Sequence, residues 1–214
     1  FVGSAYLSSV AFVPVTVAAV VFYTFPILIV IAEPFVTGRR LGLGRKLITF
    51  AAFVGVALVI GPDISHLDPR GLGLAAIASA GAALQFFAAN AMPKTALPAK
   101  LVWSQVIILP VTLLILGVTG GFQPPSAFLA APMAVTITLT GFLIGFVLQM
   151  LALVRITPGS AGIAFCAEPL FAAAIAAAVL GERISLLQYL GGLVVIGAII
   201  TNVTLEQRRT GARP

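Results

Sequence analysis

"AEPLFAAAIAAAVLGER", residues 167–183, carries a glutamate near each end and no charge between Glu168 and Glu182. With the apolar residues before it, the run covers about 158–180, close to the ~20 residues that an α-helix needs to cross a bilayer. The rest of the chain reads the same way. Its 214 residues are 60% hydrophobic and 8% charged, against roughly 45–50% and 25% in soluble domains. The mean hydropathy of +1.16 points to lipid as the main solvent. In lipid the backbone must satisfy its own hydrogen bonds, which leaves helices or a closed barrel. Barrel strands alternate in polarity, and "AAIASAGAALQFFAANAM" (75–92) and "VTLLILGVTG" (111–120) do not. The fold class is therefore an all-α polytopic membrane protein.

Seven spans are expected, near 14–37, 46–62, 72–92, 101–119, 131–153, 158–180 and 186–204, with residues 1–12 the tail of an earlier one. Pro, Gly and charged residues collect between them. Cytoplasmic loops are enriched in Lys and Arg. Alternate connections hold Arg39, Arg40, Arg45 and Lys46, then Lys94 and Lys100, then Arg155, then Arg208, Arg209 and Arg213, ten of the 12 basic residues. The other connections hold Arg70 and Arg183 beside Asp63, Asp68 and Glu182. The C-terminus and the "TGRRLGLGRK" loop should face the cytoplasm. The net charge of +6 is then a topology signal and requires no nucleic-acid partner.

Residues 23–47, "YTFPILIVIAEPFVTGRRLGLGRKL", lie over residues 166–190, "CAEPLFAAAIAAAVLGERISLLQYL", without a gap. Pro26 meets Pro169, Gly38 meets Gly181 and Arg40 meets Arg183. The period holds five spans, an odd number, so the copies must be inverted. The charges agree, with "GRR…GRK" in a basic connection and "GERISLLQ" in the opposite set. Inverted repeats are common in secondary transporters, whose substrate sites lie between repeats near the bilayer midplane.

The series Pro169–Gly181–Glu182–Gly191, within "EPLFAAAIAAAVLGERISLLQYLGGLVVIGAIIT", resembles the end of an EamA-type repeat of the drug/metabolite transporter superfamily. That resemblance implies a ten-helix bundle of two inverted five-helix repeats with both termini cytoplasmic. Residues 1–62 would be the remainder of the N-terminal repeat, from the end of its third span. Residues 63–69 would be an external linker, 70–204 a complete C-terminal repeat, and 205–214 a basic cytoplasmic tail. By that template the chain is N-terminally incomplete. Arg39 stands where the family often has Glu. Family members are secondary transporters of the bacterial inner membrane, many of them exporters of amino acids, metabolites or toxic compounds.

Glu168 should sit about ten residues into its span, where a charge costs about 2.5–3.5 kcal/mol and so faces the bundle interior or a wet cavity. Pro169 frees a backbone carbonyl that can help line that cavity. Glu168 is either a cavity carboxylate that takes a cationic group or a coupling proton, or a protonated group bonded to a neighbouring helix. Pro26, Gln85, Asn90 and Gln149 are further cavity candidates, with interhelical hydrogen bonding as the alternative for the amides. Glu33 lies near Arg39 and Arg40 and should snorkel to the interface. Gly191 and Gly192, and the "GFLIG" motif (141–145), allow close helix contact within one bundle or between two copies in a homodimer.

The single cysteine excludes an internal disulfide and a Cys-based metal site, and no Ser-His-Asp set appears around the one histidine. The Gly-rich "GRRLGLGRK" lacks phosphate-cradling spacing. No enzyme activity, metal or cofactor is expected, and energy would come from a gradient. The sequence supports a secondary active transporter for small metabolites, amino acids or drug-like compounds, an exporter working by alternating access, its cavity walled by the spans near 14–37, 72–92 and 158–180. The alternative is a non-transporting scaffold or an inactive fragment of such a transporter.

Overall fold

The apolar runs fold as helices, and seven of those described are long and apolar enough to cross a membrane. The computed structural model describes residues 2–38, 42–62, 67–92, 94–119, 124–153, 155–181 and 183–211. In chain order the helices are α1 (Val2–Ser9), α2 (Val15–Phe22), α3 (Phe25–Thr37), α4 (Leu43–Ile60), α5 (Pro69–Ala91), α6 (Leu97–Thr119), α7 (Pro125–Leu129), α8 (Pro132–Leu153), α9 (Pro158–Phe165), α10 (Glu168–Ile175) and α11 (Leu186–Gly211). A π-helical turn, Ala176–Leu180, closes α10. The short α7 was not legible as a span, and α11 runs seven residues beyond its expected end at 204.

Two of the expected spans are broken. The first is interrupted between α2 and α3 at Tyr23–Thr24, and the sixth between α9 and α10 at Cys166–Ala167. At both places the ladder tightens to i→i+3 bonds: Thr24 N–H donates to Val21 O at 3.2 Å, and Ala167 N–H to Ala164 O at 3.0 Å. Each new half-helix then begins with a proline in its first two positions, Pro26 or Pro169. A missing N–H is harmless there because the first turn has no acceptor for it. Both half-helices end on a glycine with φ of +70°, Gly38 and Gly181, the left-handed turn that only glycine adopts without strain.

Contacts divide the chain into two compact units, residues 2–87 with 157–214, and residues 88–156. In the larger unit α4 and α11 run antiparallel and touch backbone to backbone. A Cβ on Gly55 would stand 2.8 Å from Gly191 O, and one on Gly191 would stand 2.7 Å from Gly55 O. Small residues permit this approach in a membrane, where van der Waals packing takes over from the hydrophobic effect. Val56, Ala52 and Val195 are buried around the crossing. In the smaller unit Asn90 donates to Leu153 O at 3.0 Å and Ile156 O at 3.3 Å, so the amide satisfies carbonyls at and just beyond the end of α8. Lys100, expected in a loop, lies inside α6 and is buried; its ammonium donates to Ala89 O at the end of α5.

Candidate functional site

The two breaks meet. Tyr23 hydroxyl, at the first, donates to Glu168 Oε2, at the start of the half-helix after the second, at 2.9 Å. Glu168 faces a cleft of about 380 Å³ whose wall includes Tyr23, Pro169, Ala172, Val59 and Gln188. Half of the ten lining residues are alanine or valine, and Glu168 is the one acidic group among them. Glu168 Oε2 accepts from the phenol and keeps a lone pair for a second donor.

The break is held in place by its neighbours. Thr24 hydroxyl donates to Val21 O at 2.7 Å and shares a 2.9 Å contact with Ser79 hydroxyl, buried on α5. Aromatic rings run from Tyr6 through Phe22 and Phe25 to Phe86 on α5 and on to Phe165 on α9. Ring pairs at these separations, 5.2–5.5 Å, add about 0.5–1.5 kcal/mol each beyond their burial. Pro26 is buried, and a Cβ on Gly162 would lie 3.3 Å from it, so α3 and α9 pack closely just below the breaks.

Gln188 serves two neighbours at once. Its side chain accepts from Ser185 N–H at 2.8 Å while Ser185 hydroxyl accepts from Gln188 N–H at 3.3 Å, a capping box at the start of α11. Its amide then donates to Val59 O at 3.1 Å, tying α11 to the end of α4 beside the cleft.

The structure thus brings Glu168 and Pro169 to the cleft and puts Pro26 in the packing beneath it. Gln85 is half-buried on α5. Asn90 and Gln149 belong to the smaller unit, where Asn90 is occupied by helix-end carbonyls. Gly181 closes the π turn and Gly191 makes the α4–α11 crossing; Glu182 lies outside the described residues, as do Arg39 and Arg40. Sequence reasoning missed Tyr23 and Gln188. The gapless overlay of 23–47 on 166–190 held a signal for Tyr23, which stands three residues before Pro26 as Cys166 does before Pro169.

Glu33 corrects an expectation. It does not snorkel: it is wholly buried, against α9, where a Cβ on Gly159 would come within 2.5 Å of its Oε2. Only glycine at position 159 leaves room for the carboxylate. A second groove of about 390 Å³, lined by apolar residues of α3 and α4 with Lys46 and Thr49, holds no acidic partner among its lining residues and offers less chemistry.

A model of the EamA-like transporter family matches residues 69–204, more than half of the chain. A solved crystal structure, described only as that of a protein, resembles the chain with a TM-score of 0.73 at 17% identity, covering 95% of this chain and 72% of the other. At that identity the likeness is one of fold. No curated protein matches by sequence. With seven membrane-length spans among the described residues, two of them broken and meeting at Glu168, the chain belongs to the EamA-like transporter family.

Proposed function

We propose that the protein is a secondary active transporter that exports small metabolites, amino acids or drug-like compounds across the bacterial inner membrane by alternating access. The observation that carries this reading is the Tyr23–Glu168 bond, which joins the breaks of two discontinuous spans at the wall of a cleft. Broken helices are a common way for transporters to expose polar groups within the membrane. The inverted overlay of the two spans supports the same mechanism, since each break has a counterpart on the other. The basic residues near the C-terminal end support a cytoplasmic position for that end.

Glu168 is the residue that meets either the cationic end of the substrate or the coupling proton. One carboxylate oxygen pair cannot hold both, so arrival of one displaces the other. Gradient energy suffices for such an exchange, and neither catalysis nor a cofactor is proposed.

The test is export by cells carrying the protein, measured over a pH series. Glu168→Gln keeps the shape and removes the charge, and is expected to abolish the pH dependence. Unchanged export by Glu168→Gln at every pH overturns the role of the carboxylate. Export that survives collapse of both proton and ion gradients overturns secondary transport itself.

A further inference from the structure

A second concentration of polar side chains lies at the other end of the α4–α11 pair. Arg45, in the first turn of α4, pairs with Glu206 near the end of α11 at 2.6 Å. The same guanidinium nitrogen donates to Thr157 Oγ1 at 3.2 Å and to Ser160 Oγ. Ser160 Oγ also contacts Glu206 Oε2, and Thr157 Oγ1 donates to Ser160 Oγ at 3.1 Å. Thr157 is at the same time the N-cap of α9, accepting from Ser160 N–H at 3.3 Å. The Arg45 side chain is 10% exposed and that of Glu206 30%.

We propose that Arg45, Glu206, Thr157 and Ser160 form the inner gate of the transport path, holding its cytoplasmic end shut while the Glu168 cleft stands open at the other. Three observations point this way. First, the cluster ties together the start of α4, the start of α9 and the end of α11. Helix α9 is the leading half of the broken span whose trailing half carries Glu168, so the knot fixes the half-helix that must move for the break to be reached from that side. Second, Arg45 and Gln188 occupy the same register, 143 residues apart, in the gapless overlay of the two copies. Each sits in the first turn of its helix and bonds to the far end of the other. The two ends are equivalent in position and unequal in strength. At the Gln188 end the tie to α4 is one neutral amide-to-carbonyl bond, and a cleft of about 380 Å³ lies beside it. At the Arg45 end it is a charge pair braced by two hydroxyls. Third, all four gate side chains are polar, so the contact can be exchanged for water when it parts. An apolar seal could not do this as readily, and Glu206, 30% exposed, already meets solvent. The gate can therefore hold without locking.

This inference rests on the transporter reading, and its test needs no substrate, so failure of the gate leaves that reading standing. Cys166, the single thiol, is buried at the α9–α10 break and serves as reporter. The full chain is placed in vesicles of known sidedness and treated with a charged, membrane-impermeant methanethiosulfonate. Losing a charge-assisted bond shifts a two-state equilibrium by about tenfold or more. Arg45→Gln and Glu206→Gln are each expected to speed labelling of Cys166 from the cytoplasmic face by that factor. The same changes should slow labelling of Ala172→Cys, set in the cleft wall of a Cys166→Ala chain, from the opposite face. The exchange Arg45→Glu with Glu206→Arg should bring both rates back towards the parent. Ser160→Ala leaves both charges and should move the rates the same way by less, which keeps the test decisive if a charge variant does not reach the membrane. Unchanged rates, or faster labelling from both faces together, overturn the gate.

Discussion

Replacing Gly191 by alanine puts a Cβ 2.7 Å from Gly55 O, 2.8 Å from Leu58 Cβ and 2.9 Å from Val59 N. Ordinary contact begins at 3.4 Å, so α4 must retreat by about 0.7 Å, 3.4 less 2.7, and all three atoms belong to the backbone or sit next to it. Overpacking of this kind costs about 1–3 kcal/mol. Alanine returns up to ~1 kcal/mol of helix propensity on the scale measured in water, which leaves a net loss of about 1–2 kcal/mol. Gly55→Ala meets Gly191 O at 2.8 Å and should cost a similar amount. One retreat of α4 from α11 relieves both contacts, so the double variant should cost about 1 kcal/mol less than the sum of the singles. Gly197, on the same helix, has nothing within 4 Å of an added Cβ, and Gly197→Ala should be neutral or slightly stabilising. Titration of the detergent-solubilised protein with sodium dodecyl sulfate, followed by far-ultraviolet circular dichroism, gives the four stabilities. The reasoning is refuted if Gly191→Ala unfolds no earlier than Gly197→Ala, or if the singles simply add.

Tyr23→Phe removes the phenol that Glu168 accepts from and nothing else of size. A hydrogen bond is worth about 0.5–1.5 kcal/mol, so the apparent affinity for a transported compound should change by about two- to tenfold, at unchanged protein level in membranes. Asn90→Ala, by contrast, strips two helix-end carbonyls of their donor. Interhelical bonds in membranes average about 0.6 kcal/mol with a maximum near 1.7, so it should lower thermal stability in detergent by roughly 1–2 kcal/mol and leave the pattern of transported compounds alone.

The spans were legible because the bilayer sets their length and the loops set their ends. Six of the seven expected ranges differ from helices by a few residues at each boundary. What escaped was the interior of two of them. "FYTFP" and "FCAEP" are apolar enough to read through, and a proline two residues into a half-helix looks, in a sequence, like a proline inside a whole one. Glu168 stood out because a lone carboxylate in such a run is costly; Tyr23 did not, because a tyrosine there is unremarkable until its hydroxyl has a partner. Glu33 was misread for the opposite reason: the nearby arginines suggested a solvated pair, and the room made by Gly159 cannot be seen from α3 alone. Arg45 was read as a loop charge, and Glu206 falls in the stretch expected to be a basic tail. Their meeting depends on α11 continuing past residue 204, through a polar stretch whose helicity hydropathy does not report.

The contact at Gly55 and Gly191 also sets a lever. Because the backbones touch there, the helices tilt about that point more easily than they part, and it acts as a fulcrum. Along α4 that contact spans Gly55 to Val59, and Arg45 lies ten residues from its near edge, an arm of about 15 Å at 1.5 Å per residue. A tilt of about 10° there moves Arg45 by about 2.6 Å, enough to carry a 2.6 Å ion pair out of bonding range. Small tilts at this contact are magnified at the far end of the same helix.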